Sequence, residues 1–183
     1  SWIRRFGGAS DDRGASIGLA TTGEVAITGF FNSTANFGGV DRVSTGGADI
    51  FLAKYASAGS WMWDQVFGTS AGFGDNAKGV AVDASGNIAM TGFMINGLNF
   101  GGGALCPLCG TYDVFVAKFT GAGAYVWADR FDTVTQDEHG NGVAFDTSGN
   151  VFIAGDFFES VDFGGGNLSS PGGVSGFIAK FNP

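Results

Sequence analysis

The sequence predicts an all-β chain of three four-stranded antiparallel repeats, each about 61–64 residues long. Three observations predict it. First, the chain repeats itself. Thr28-Gly29-Phe30 recurs as Thr91-Gly92-Phe93 and loosely as Ala154-Gly155-Asp156, and Phe37-Gly38-Gly39 recurs as Phe100-Gly101-Gly102 and Phe163-Gly164-Gly165, always 63 residues apart. Second, each copy holds four short segments rich in β-branched and aromatic residues and bounded by Gly, Asn, Asp and Ser, which reads as strand. Third, no window sustains the i, i+3, i+4, i+7 apolar pattern of a helix.

The repeats divide the chain at about 1–60, 61–124 and 125–183. The first segment of each copy is aromatic: Trp2–Phe6, Trp61–Phe67 and Tyr125–Phe131. The second is rich in small residues: Ala15–Ala20, Gly79–Val82 and Gly142–Phe145. The third is Val25–Thr28, Ile88–Thr91 and Val151–Ala154, and the fourth is Ile50–Tyr55, Val114–Phe119 and Gly176–Phe181. Second and third segments join through Asp83-Ala84-Ser85-Gly86-Asn87 and Asp146-Thr147-Ser148-Gly149-Asn150, with Thr21-Thr22-Gly23-Glu24 in the first copy. A glycine able to take the left-handed conformation makes each a short hairpin. Four antiparallel strands in roughly 60 residues is the arithmetic of a β-propeller blade. The second segment, lacking large side chains, is placed nearest the crowded axis and the Trp segment outermost.

An Asp-x-x-Gly-Asn turn, then Thr-Gly-Phe, Asn-Phe-Gly-Gly, Asp-x-Phe-x-Ala-Lys and Trp with Phe, resembles the bacterial β-propeller repeat family called SBBP. The clearest copy is Asp83–Gly92, Asn99–Gly102, Asp113–Lys118 and Trp127–Phe131. Thr21 stands in place of Asp83 and Asp146, and Ser175 in place of Asp49 and Asp113. The resemblance covers the whole chain. It implies a propeller fold and an exported or surface-associated bacterial protein, extracellular or at the cell surface, more firmly than it implies an activity.

Three blades fall short of the about four to eight of a closed propeller. The chain starts on the aromatic segment, without an initiator Met or an apolar leader, and ends on the Phe-x-Ala-Lys segment. The sequence thus predicts a partial propeller, completed either by further blades of a longer chain or by homo-oligomerisation. In a closed ring, Trp2–Phe6 would complete the last blade beside residues 176–181.

Composition excludes several classes. With 44 % hydrophobic and only 14 % charged residues the chain is not disordered. Its net charge of −8 opposes nucleic-acid binding, which depends on Lys and Arg at phosphates. No stretch reaches the roughly 20 apolar residues of a membrane-spanning helix.

Candidate chemistry is sparse. Asp12, Asp75 and the pair Asp137 and Glu138 occupy matching loops before the second strand. Carboxylates on Gly-rich loops are the hard oxygen ligands Ca²⁺ accepts, so these four are candidate calcium ligands; the competing reading is turn capping by local hydrogen bonds. Trp61 and Tyr125 are candidate ligand-facing aromatics. Cys106 and Cys109, the only cysteines, form a Cys-Pro-x-Cys-Gly loop. A tetrahedral metal site would need a second pair, which leaves a local disulfide, a redox pair or free thiols. His139, the only histidine, reads as a solvated loop residue, and the strand-end Lys54, Lys118 and Lys180 as snorkelling to water. The functional expectation is a non-catalytic scaffold that binds a protein or glycan on its loop faces, with no cofactor beyond possible calcium. An enzyme using the axial carboxylates and a structural module of a larger assembly are the alternatives.

Overall fold

The computed structural model describes residues 1–70, 72, 74–106, 110–132 and 136–183. Their regular structure is entirely β. Strand β1 (Gly7–Gly8) comes first. The first sheet runs β2 (Arg13–Leu19), β3 (Val25–Phe31), β6 (Asp49–Tyr55), β7 (Trp61–Phe67) in that spatial order. Between β3 and β6, β4 (Thr34–Asn36) and β5 (Asp41–Val43) form a small sheet with β1. The second sheet is β8 (Asn76–Val82), β9 (Ile88–Met94), β10 (Asp113–Phe119), β11 (Tyr125–Phe131), and the third is β12 (His139–Phe145), β13 (Val151–Phe157), β16 (Ser175–Phe181). A hairpin of β14 (Ser160–Asp162) and β15 (Asn167–Ser169) lies between β13 and β16, and all the strand pairings are antiparallel.

Two sequence expectations are corrected here. Residues 1–6 form no strand, and the third sheet has three strands rather than four. One fact explains both. Trp2–Phe6 lies against the first sheet, at the opposite end of the array from β16. The indole of Trp2 donates to the Ser57 carbonyl at 2.9 Å and Arg4 Nε to the Gly59 carbonyl at 2.9 Å. Trp63 and Gln65 of β7 do the same to the next sheet, donating to Gly121 O and Gly123 O at 3.3 and 2.6 Å. Residues 2–6 therefore sit as an outer strand would, on the sheet that follows them, without a sheet of their own. The excursion holding Phe-Gly-Gly, expected as loop, closes into a small hairpin in the first and third copies; in the second only Asn99 and Ala104 bridge.

The sheets pack face to face in chain order, and a phenylalanine trio marks each junction. Phe100 lies 5.0 Å from Phe67 of the preceding sheet and 4.9 Å from Phe115 of its own. Phe163 lies 4.9 Å from Phe131 and 4.2 Å from Phe177. Phe37 meets Phe6 at 5.8 Å and Phe51 at 4.5 Å. Phe100 and Phe163 are thus plugs between two sheets, and Phe37 is the same plug between the first sheet and the segment of residues 2–6. Between the sheets, Ile50, Leu52, Ile88, Met90 and Phe119 fill the first junction, and Val114, Val116, Val151 and Ile153 the second. Burying one such side chain contributes about 1.5–3 kcal/mol.

The Thr-Gly-Phe motif also acquires a cause. Strands β2, β8 and β12 each carry a bulge, with register breaks at Gly14/Ser16, Ala77/Gly79 and Gly140/Gly142. The bulge pushes a carbonyl of the second strand into the space where the third strand's glycine would carry a Cβ: Arg13 O at Gly29, Asn76 O at Gly92 and His139 O at Gly155. The small residues of the second strands serve close approach between sheets. A Cβ on Gly79 would stand 3.1 Å from Val143 N, and one on Gly18 3.3 Å from Ala81 Cα.

Replacing Gly92 by Ala sets a methyl against the backbone of Asn76 and Ala77. The expected loss is about 1–3 kcal/mol, the range for overpacking. It is read from urea denaturation midpoints of the two proteins at unchanged m-value.

Candidate functional site

The predicted carboxylates turn out to be loop fasteners. Asp12 accepts from Gly8 N at 2.6 Å and Asn32 N at 3.2 Å. Asp75 accepts from Ile95 N at 2.8 Å through Oδ1, and its own N–H donates to Ala48 O at 2.8 Å. Asp137 accepts from Tyr112 N at 3.0 Å, and Glu138, fully buried, donates its N–H to Tyr112 O at 2.8 Å. These residues tie the loop before a second strand to the residue after a third strand (Asn32, Ile95) or to the one before a fourth (Ala48, Tyr112). Among the described residues no three or more His, Cys, Asp or Glu side chains cluster around one point.

The hairpin carboxylates do what turn capping expects. Asp83 accepts from Ser85 N and Asn87 N through one oxygen, both at 2.8 Å, and from Asn87 Nδ2 at 2.8 Å through the other. Asp146 repeats this with Ser148 and Asn150, and these bonds to its charged form hold its carboxyl below the ordinary range.

Trp61 and Tyr125 lie over glycines. Their rings cover Gly38 and Gly39, and Gly101 and Gly102, so closely that a Cβ there would strike them. The Trp61 indole donates to Asp64 at 2.8 Å, and the Tyr125 hydroxyl accepts from Ala128 N at 3.1 Å. Both keep one part-exposed face. Cys106 is disulfide-bonded; Cys109 lies outside the described residues.

Two readings are revised. Lys54 and Lys118 are buried, donating to Gly121 O at 3.0 Å and Gly149 O at 3.3 Å in the turn of the following sheet, with Lys54 also 2.7 Å from Glu24. Each ammonium reaches a carbonyl of the next sheet rather than open solvent because that sheet covers it. His139 is the first residue of β12 and half-buried. Its Nδ1 faces Asp156 at 3.1 Å, and Asn141 Nδ2 donates to the other Asp156 oxygen at 2.5 Å.

His139 belongs to a cleft of about 300 Å³ where the three sheets meet. Phe30, Phe93, Tyr112, Asp75 and Asn76 line it with His139. Tyr112 and His139 each meet the Phe93 ring edge-on at 5.0 Å, and Lys78 Nζ sits 5.1 Å from its centroid. The signal was present in the sequence: positions 30, 93 and 156 close the Thr-Gly-Phe motif. They pair across the strand with Arg13, Asn76 and His139. Where Phe is replaced by Asp156, its cross-strand neighbour is His139, which can hydrogen-bond to it.

Asp75 is the cleft's buried acid, 1 % exposed. Burial, reinforced by the nearby Asp49 charge and opposed by the Ile95 N–H, pushes its pKa up from 3.8 to about 7. Burial likewise raises Asp49 and Asp113, with Arg130 offsetting part of the effect at Asp113. No protein-family model matches the chain, and no curated protein matches it.

A carboxyl whose folded pKa exceeds its unfolded one favours the fold most when protonated. For Asp75 that contribution is complete below about pH 4 and is lost as pH rises through about 7. In chelator, the melting temperature should fall between pH 5 and pH 8. Asp75→Asn should flatten that fall, measured by calorimetry at matched ionic strength.

Proposed function

We propose that the three sheets are blades of a propeller-type array, of the kind the SBBP-like motifs imply, and that the chain is a non-catalytic binding scaffold of an exported or surface-associated protein. The cleft at the meeting of the three sheets carries the reading. It combines aromatic faces (Phe30, Phe93, Tyr112) with convergent polar groups (Asn76, His139, Asp137), the mixture that small-ligand clefts use. A glycan suits it best among the partners considered, since a sugar presents an apolar face to a ring and hydroxyls to amide and carboxylate. A scaffold role fits the use made of the loop carboxylates, which are engaged with backbone N–H groups.

The ends of the array support the second half of the proposal. Ile178 of β16 is 73 % exposed, whereas Leu52 and Val116, at the same place in β6 and β10, are wholly buried. At the other end Ile17 and Leu19 of β2 are 63 % and 64 % exposed, while Val80 of β8, in the place of Ile17, is buried. The outer edge of β16 pairs with no strand among the described residues. Each end offers what the other lacks: a free edge and an apolar face at one, an outer-strand segment and an apolar face at the other. The blades that cover them come from a second copy or from more of the same polypeptide.

Two experiments follow. Titration against a panel of oligosaccharides should find a binder whose affinity drops about tenfold, roughly 1.4 kcal/mol, in Phe93→Ala or Tyr112→Ala. A panel without any binder removes the glycan reading. Native mass measurement at micromolar concentration should show multiples of the 18.7 kDa chain that revert to one copy in Ile178→Asp. A wild-type chain that stays single assigns the covering blades to a longer polypeptide.

A further inference from the structure

Among the described residues, the buried side-chain oxygens without a hydrogen-bond partner are Asp49 Oδ1, Thr69 Oγ1, Asp75 Oδ2 and Asn76 Oδ1. All four come from two stretches that lie against each other, the start of β6 with the loop before it and the loop leading into β8 with its first residue. The Asp75 N–H bonds to Ala48 O, and a Cβ on Gly46 would stand 2.7 Å from Thr69 O. Both carboxylates are almost wholly buried, Asp49 at 2 % and Asp75 at 1 % exposure. Asp49 receives Thr45 N at 2.9 Å and Thr45 Oγ1 at 3.3 Å on one oxygen only. Ionised together, two buried carboxyls with an unshared oxygen each are costly unless a positive charge stands between them.

The second sheet meets the same problem with a side chain. Asp113, at the place of Asp49, is bound by Arg130 at 2.7 Å, and Arg130 also reaches Asp132 at 2.9 Å. In the first sheet Val66 stands where Arg130 does and Gly68 where Asp132 does. Gly68 lets the Asp49 carboxyl lie directly over its backbone, where any Cβ would collide. The third sheet has Ser175 at that position and so no charge to answer.

We propose that the first sheet holds a divalent cation of the Ca²⁺ class between Asp49 and Asp75, with Asn76 and Thr69 as neutral oxygen donors, in the role Arg130 plays in the second. Two carboxylates with amide, hydroxyl and water oxygens form the all-oxygen shell that Ca²⁺ accepts in flexible loops, whereas Mg²⁺ demands a stricter octahedron. The site adjoins the cleft and shares Asp75 and Asn76 with its lining; calcium binding is measured with no glycan present, so failure of one reading is distinguishable from failure of the other. The site shares only Asp75 with the four carboxylates singled out from the sequence.

Chelator-treated chain is titrated calorimetrically with CaCl₂ alone and melted in EDTA and in CaCl₂. One binding event per chain is expected, with a melting temperature roughly 5 °C or more higher at saturating CaCl₂. Asp49→Asn and Asp75→Asn should each weaken binding at least tenfold; Asp49→Ser, which copies the third sheet, serves if the amide variant does not fold. Val66→Arg, which copies the second sheet, should lose the calcium response and melt in EDTA no lower than the wild type. The proposal is overturned by no heat and equal melting temperatures, by an equal response to MgCl₂, or by binding retained in both Asn variants.

Discussion

The second sheet of this chain is apolar on both faces and buries each against a neighbouring sheet. That burial governs the rest. It explains why the plug residues Phe37, Phe100 and Phe163 recur: Phe100 and Phe163 each seal the gap between the preceding sheet's outer strand and their own sheet, and Phe37 does so against residues 2–6. It explains why Trp2–Phe6 folds back onto the first sheet though it has no sheet of its own: Phe6 supplies the ring that Phe67 and Phe131 supply at the other junctions. Stability in such arrays is a sum of sheet terms and nearest-neighbour terms. The junctions here are built almost wholly of the second kind.

The repeat period, the strand types and the hairpin turns were legible in the sequence, because strand periodicity and turn chemistry are local. Asp83 and Asp146 cap their turns through residues two and four positions away, which a linear reading finds. What could not be read locally depends on a neighbouring sheet. Lys54 and Lys118 looked like solvent-seeking strand ends, and only the next sheet's turn makes them buried donors. Trp61 and Tyr125 looked like free platforms, and only the glycines 22–24 residues earlier show what they cover. His139 looked like a loop residue, for its partner Asp156 is brought opposite by the β12–β13 register. The Thr-Gly-Phe motif was visible while its cause, a bulge carbonyl pointing at the glycine, was not.

The repeats differ most where function would be sought. At the start of the fourth strand they carry Asp49, Asp113 and Ser175; at the end of the Thr-Gly-Phe motif they carry Phe30, Phe93 and Asp156. The scaffold positions hold their residue type, while these positions change charge from sheet to sheet. A nearly repeated frame thereby presents different chemistry at each junction, and Phe30 and Phe93 bring part of it to the cleft where the three sheets meet.

The Lys, Trp, Gln and Arg side-chain donors at the outer side of the junctions share a direction, while backbone N–H groups such as Val80 N, which donates to Ser16 Oγ at 3.1 Å, run the other way nearer the second strands. Lys54, Trp63 and Gln65 of the first sheet all donate forward, to the turn of the second, and Lys118 of the second donates forward to the third. Trp2 and Arg4 point the same way. The acceptors are backbone carbonyls at one end of each sheet, which cannot donate in return. The array is therefore polar, like a filament with unlike ends. Any growth or closure that reuses this joint must run head to tail, and two such arrays meeting head to head would set donor against donor.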